Sequence, residues 1–222
     1  RRVRLPRDQR DVAFGLADMT THREVHMKMV QKGAVKSLMT LIERSSDHEA
    51  QRFAALALAN VSATPENRIA IVEEGVLKTL LSYIENDDGD LMARQYCAMA
   101  VGNLAAEVEN HDEIVKMKGI PALITLLNTE DVSCGRYAAF ALANLASNPE
   151  HRAEIVEEGA LPPLVQLACA DDINAQRQAL AAMRGVSTTL AYREKVVTEG
   201  ALDPLVLMAR SDEIDVKREV AA

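Results

Sequence analysis

Residues 140–167 run FALANLASNPEHRAEIVEEGALPPLVQL, and one of them is out of place by local preference. Asn144 sits inside an alanine–leucine run, although the asparagine amide competes for backbone partners and makes it a poor helix former. The rest of the chain supplies the explanation. ALALANVSATPENRIAIVEEGVLKTLLSYI begins at Ala55, and AMAVGNLAAEVENHDEIVKMKGIPALITLL begins at Ala98. Both repeat the same order: a small-residue helix with an asparagine near its end, a short acidic helix, a glycine, then an apolar helix. The glycine recurs at Gly33, Gly75, Gly119, Gly159 and Gly200, always a little over forty residues apart or just at forty. A fixed period with drifting sequence marks a natural repeat array.

Each unit of the array reads as three helices. The first is short, as in residues 65–74, with Thr64 placed to cap it and Pro65 in its first turn. Gly75 breaks it, because glycine tolerates the left-handed backbone a helix end requires. The second helix, VLKTLLSYI, puts Leu77, Leu80, Leu81 and Ile84 on one face. Asp87, Asp88 and Asp90 form the acidic start of the third, which runs to about Ala106.

Period and helix count resemble the armadillo repeat, with G-[AV]-[VL]-x-x-L-x-x-L and A-L-A-N-[VL] as the signatures here. The resemblance covers essentially the whole chain and implies an all-α, right-handed armadillo superhelix, an α-solenoid. It divides residues 1–222 into a partial repeat (1–20), complete repeats at 21–63, 64–106, 107–147 and 148–187, and an incomplete repeat at 188–222. Neither end carries the polar capping helix that solubilises such arrays. With no initiating Met and no signal peptide, the expectation is a fragment of a longer chain.

Composition agrees with an all-helical core. Of 222 residues 48% are hydrophobic, yet only seven are aromatic and none is Trp, so the core must be built from Ala, Leu, Val, Ile and Met. A net charge of −8 and a pI near 5.2 argue against nucleic acid or an acidic membrane as partner. Cys97, Cys134 and Cys169 follow no metal-ligand spacing and read as reduced thiols of a cytoplasmic or nuclear protein. No apolar run approaches the ~20 residues needed to span a bilayer.

In each third helix the residues six, five and two before the asparagine position, and one after it, are apolar. They are Ala54, Ala55, Leu58 and Val61 in one copy and Ala138, Ala139, Leu142 and Leu145 in another. At about 100° per residue these cluster on the core face. The opposite stripe is an orderly set of rows. Asp18, Asn60, Asn103, Asn144 and Gly185 occupy the asparagine position itself. Eight before it stand Arg10, Arg52, Gln95 (beside Arg94), Arg136, Arg177 and, in the last copy, Arg218. Phe53, Tyr96 and Tyr137 stand seven before it, and Phe14, Leu56, Met99, Phe140 and Ala181 four before it. Five of the seven aromatics share this stripe, which a merely solvated surface has no reason to collect.

On the armadillo resemblance the third helices line a concave groove, and Asn60, Asn103 and Asn144 match the residues that clamp an extended peptide backbone in that family. The chemistry is apt, since a carboxamide offers donors and an acceptor together. Helices ~8–10 Å apart meet a strand advancing ~3.3 Å per residue at every second or third position. Asp18 and Gly185 depart from the pattern, so the clamp should weaken at both ends. The same asparagines would equally bond a neighbouring helix terminus. The arginines would either meet acidic side chains of a ligand or pair with carboxylates of the repeat, and the apolar stripe would serve equally to pack another domain of the parent chain.

The expected peptide-groove residues are therefore Asn60, Asn103, Asn144, Arg52, Arg136, Arg177, Phe53, Tyr96, Tyr137, Met99 and Phe140. The expected occupant is an extended acidic or mixed apolar–acidic segment of a protein partner, with no cofactor and no metal. His22 and His26 have metal-compatible helical spacing but no third ligand. Glu73–Glu74 and Glu157–Glu158 read as solvated helix ends. No nucleophile–base constellation or phosphate loop is present, so an enzyme is not expected.

Within the armadillo class the tryptophan-free A-L-[AG]-N-[LV] style is similar to the yeast vacuolar armadillo scaffold and the apicomplexan armadillo-repeats-only protein. Those imply a cytoplasmic scaffold tethering motor or adaptor proteins to an organelle membrane through an acylated segment upstream. A structural module of a large cytoskeletal or ciliary assembly is the alternative. An importin-α-like adaptor fits less well. That family places Trp where Leu56, Met99 and Phe140 stand, and the arginine row would repel a basic signal.

Overall fold

The computed structural model describes residues 6–209, with side chains from Gln9 onward; Arg218 and the end of the incomplete last repeat lie outside the described residues. Every regular element among them is helical. The helices gather into two units, residues 1–117 and 118–222, taken here in turn.

The first unit opens with α1 (Pro6–Met19), the expected lone third helix. A 3-10 turn (Arg23–Val25) and α2 (His26–Gln31) make the short first helix of the next repeat, α3 (Ala34–Arg44) its second and α4 (His48–Ser62) its third. The pattern recurs with a 3-10 turn (Pro65–Asn67), α5 (Arg68–Glu73), α6 (Val76–Ile84) and α7 (Leu91–Leu104). The turn Val108–Asn110 and α8 (His111–Lys116) complete the unit. Third helices α1, α4 and α7 stack side by side, and α3 packs on α6 as a second layer. Between the layers Leu38, Ile42, Leu58, Leu80, Ile84 and Leu104 are fully buried, each contributing about 1.5–3 kcal/mol of hydrophobic stabilisation.

The second unit repeats this plan with α9 (Gly119–Leu127), α10 (Val132–Ala146), a 3-10 turn (Pro149–His151), α11 (Arg152–Glu157), α12 (Leu161–Ala168), α13 (Ile173–Ser187), α14 (Leu190–Thr198) and α15 (Leu202–Met208). Here α10 and α13 are the stacked third helices, and Ile120, Leu123, Leu126 and Leu142 fill the core. All eight positions assigned to the core face of α4 and α10 are buried.

Local expectations change at Thr64 and at Gly119. Thr64 holds the cap position of its turn but makes no cap hydrogen bond; its hydroxyl meets Nδ1 of the buried His26 at 2.8 Å. His26 Nε2 lies 2.8 Å from the Thr20 carbonyl, so both ring nitrogens already have protein partners. The helix break expected at Gly119 falls one residue earlier. Lys118 takes the left-handed backbone at φ 62°, where Gly33, Gly75, Gly159 and Gly200 do so in the other copies. Cys97 and Cys134 are interior, but Cys169, at the end of α12, is exposed.

Candidate functional site

The third helices begin alike. Asp47, Asp90, Asp131 and Asp172 stand at the N-caps of α4, α7, α10 and α13, each accepting a hydrogen bond from a backbone N–H of the first turn. Each lies thirteen residues before the asparagine position, a row that could have been read from the same alignment and that sequence reasoning had recognised only at Asp90.

In the first unit this aspartate row meets the arginine row of the preceding third helix. Arg10 on α1 donates Nε and Nη2 to Asp47 Oδ2 at 2.9 and 2.7 Å, and its Nη1 lies 2.6 Å from Glu49. Arg52 on α4 grips Asp90 in a two-pronged pair, Nε to Oδ1 at 3.0 Å and Nη2 to Oδ2 at 2.6 Å. These bonds hold both carboxyls below the ordinary aspartate value, against burial, which pushes them up. Of the two roles open to the arginines, Arg52 fills the internal one. Buried Arg94 is likewise internal, bonding the Ile84 carbonyl and Asp87.

The asparagines are also engaged with their neighbours. Asn60 Nδ2 donates to the Thr20 hydroxyl just beyond α1 at 2.9 Å, and Asn103 Nδ2 donates to the Ala59 carbonyl in the last turn of α4 at 2.9 Å, with Ser62 Oγ at 3.4 Å. A carbonyl in a last helical turn lacks its intrahelical donor, and the carboxamide N–H of the next repeat supplies one. Among the described residues neither carboxamide oxygen has a hydrogen-bond partner.

Beside them, Phe53, Leu56, Tyr96 and Met99 are half-buried, between core and solvent. Phe14 is 55% exposed and meets Phe53 edge-on at 5.3 Å between ring centroids. The stripe is therefore an accessible surface with apolar rings upon it.

The second unit is arranged differently. Arg136 makes no ion pair among the described residues; its guanidinium lies 4.6 Å over the Tyr137 ring, a cation–π contact. Tyr137, Phe140, Asn144 and Arg177 are half-buried. Phe140 and Asn144 form one wall of a cleft of about 480 Å³, with Gln178, Ala181 and Gly185 opposite. Gly185 has a steric reason to replace asparagine, because a Cβ there would lie 2.8 Å from Ala146 Cβ.

These stacked three-helix units define an armadillo-type repeat protein. The fold is shared with an engineered protein of the Northeast Structural Genomics Consortium (28% identity, 99% of this chain and 90% of that one, TM-score 0.89). It is shared also with the designed armadillo repeat protein YIII(Dq)4CqI (23%, 96% and 90%, 0.87) and with a designed armadillo repeat protein in complex with the peptide (KR)4 (23%, 97% and 88%, 0.80). Residues 110–220, half of the chain, match the SIL1/FES1/HPBP1 C-terminal domain, and the chain belongs to that family. No curated protein matches it. Among the described residues no helix is long and apolar enough to cross a membrane.

Proposed function

We propose that the chain is a non-enzymatic scaffold that holds an extended segment of a protein partner along its third helices. The observation that carries this reading is made in each unit by itself: half-buried Phe53, Tyr96 and Met99 share the third helices of the first with Asn60 and Asn103, and half-buried Tyr137 and Phe140 share α10 of the second with Asn144. The clamp differs from the one expected. With the carboxamide N–H groups of Asn60 and Asn103 turned to the preceding helix, their oxygens are what meets the ligand, accepting from backbone N–H groups of the segment. The acidic preference rests on Arg136, whose guanidinium lies over the Tyr137 ring on the stripe, since Arg52 is neutralised by Asp90. One designed armadillo neighbour was captured with a basic peptide, so ligand sign is set by the residues on the stripe rather than by the fold.

The test is partner recovery by wild type and by a variant carrying Tyr96→Ala, Phe140→Ala and Asn60→Ala, with folding checked by circular dichroism. Recovery should fall severalfold; unchanged recovery by a folded variant refutes the groove. The finer role we infer, tethering motor or adaptor proteins to an organelle membrane, is tested by whether the protein sediments with membranes and releases those partners when the stripe is altered. Membership of the SIL1/FES1/HPBP1 family favours a second reading, a helical domain of nucleotide exchange factor type. Acceleration of nucleotide release from a recovered partner would select it.

A further inference from the structure

We propose that the cleft between α9, α10 and α12 binds an arginine side chain of a protein partner, at a site separate from the stripe on the third helices. None of the stripe residues lines it.

Three of the four complete repeats close this place from within. Nine residues before the asparagine position they carry Gln51, Arg94 and Gln176. Each reaches back to carbonyls at the end of its second helix, where intrahelical donors run out. Gln51 Nε2 donates to the Ile42 and Ser45 carbonyls at 3.1 and 3.0 Å, Arg94 Nε to Ile84 at 2.9 Å and Gln176 Nε2 to Ala170 at 2.9 Å. The same position of α10 is Gly135, with no side chain to send. A cleft of about 380 Å³ opens there instead. The Thr129 residue that borders it stands two before the Asp131 cap, as Ser45 and Ala170 stand before theirs. Among the described residues no donor reaches the Thr129 carbonyl.

The lining selects the donor that fits. Among the described residues no Lys or Arg borders the cleft, whereas Glu130 does, exposed and without an ion pair. Leu127, Pro163 and Leu167 give an apolar floor for an aliphatic stem. The fold already seats an arginine at this position one repeat earlier. Arg94, buried, spans the Ile84 carbonyl and, through Nη2 at 3.1 Å, the Asp87 carboxylate. A partner's guanidinium does the same in trans, its planar fork donating to the Thr129 carbonyl and the Glu130 carboxylate together.

Cys169 lines the cleft and is exposed, while Cys97 and Cys134 are buried, so its reactivity reports on this site. The test follows its labelling by an uncharged dipyridyl disulfide in the presence of acetyl-Gly-Ser-Arg-Ser-Gly-amide, or of the same peptide with citrulline, which keeps the shape and loses the charge. The arginine peptide should slow labelling severalfold. The citrulline peptide should need about tenfold higher concentration for the same effect, the scale of a charge-assisted hydrogen bond. Glu130→Gln, at an exposed position, should leave the melting temperature unchanged and remove most of the arginine advantage. Phe140→Ala, on the stripe, should leave the protection as it was. Protection by neither peptide, or equal protection by both, overturns the site. An arginine advantage that survives Glu130→Gln, or that disappears in Phe140→Ala, overturns its placement in this cleft.

Discussion

Replacing Asp90 separates the two tasks of one carboxylate. Asp90→Ala removes the N-cap of α7, the bond from Ala93 N at 2.9 Å, together with the two-pronged pair to Arg52. The cap is worth about 1 kcal/mol. The pair is only partly buried, with the Arg52 side chain 33% and Asp90 14% exposed, so solvent screening holds it to about 1 kcal/mol rather than the several of a fully buried pair. Asp90→Ala should therefore cost about 2 kcal/mol, and Asp90→Asn, which keeps an oxygen at the cap, about 1. Urea denaturation is the assay, because guanidinium chloride would screen the pair itself. A cycle with Arg52→Gln should give a coupling near 1 kcal/mol. The pH dependence has a definite sign. A carboxyl held below its unfolded value stabilises the fold above that value, about 3.9, and the gain disappears as pH falls through the folded value. The Asp90→Asn deficit should thus be full at pH 7 and shrink below about pH 4. A coupling under about 0.3 kcal/mol, or equal costs for Asn and Ala, would refute this assignment and return Arg52 to the ligand.

Gly185→Ala should destabilise the second unit by about 1–3 kcal/mol, because its Cβ would meet Ala146 at 2.8 Å in the α10–α13 contact; thermal melting with an unchanged midpoint would show that the helices part freely. Lys118→Gly should stabilise by about 1 kcal/mol, relieving a left-handed lysine, and a lower urea midpoint would contradict that. An aromatic disulfide reagent should label Cys169 at once in the native state and reach Cys97 and Cys134 only in denaturant. Burial pushes the Cys97 thiol far up, so rapid native labelling of Cys97 would disprove its enclosure.

The repeat, its three helices and the core face were legible because hydrophobic period and glycine punctuation are local signals, set by a few neighbouring residues. Ala54, Ala55, Leu58 and Val61 fell where helical geometry put them. What escaped depended on partners about forty residues away. Nothing within α4 says that Arg52 reaches Asp90 or that the Asn60 amide turns to Thr20; the information lies in comparing the same position in two copies. Lys118 escaped for another reason. The glycine beside it satisfied the pattern, and only backbone geometry showed which of the two residues turns.

The arginine–aspartate contacts have a direction. Two third helices of the first unit, α1 and α4, put forth a plug, Arg10 or Arg52, and the helix after each bears the socket, Asp47 or Asp90. A graft that preserves the period brings a plug and a socket together and heals on both sides. One cut at any other phase strands a cation at one seam and a capping carboxylate at the other. Between α1 and α7 whole repeats can be added or removed at no electrostatic loss, and a splice at any other phase is penalised.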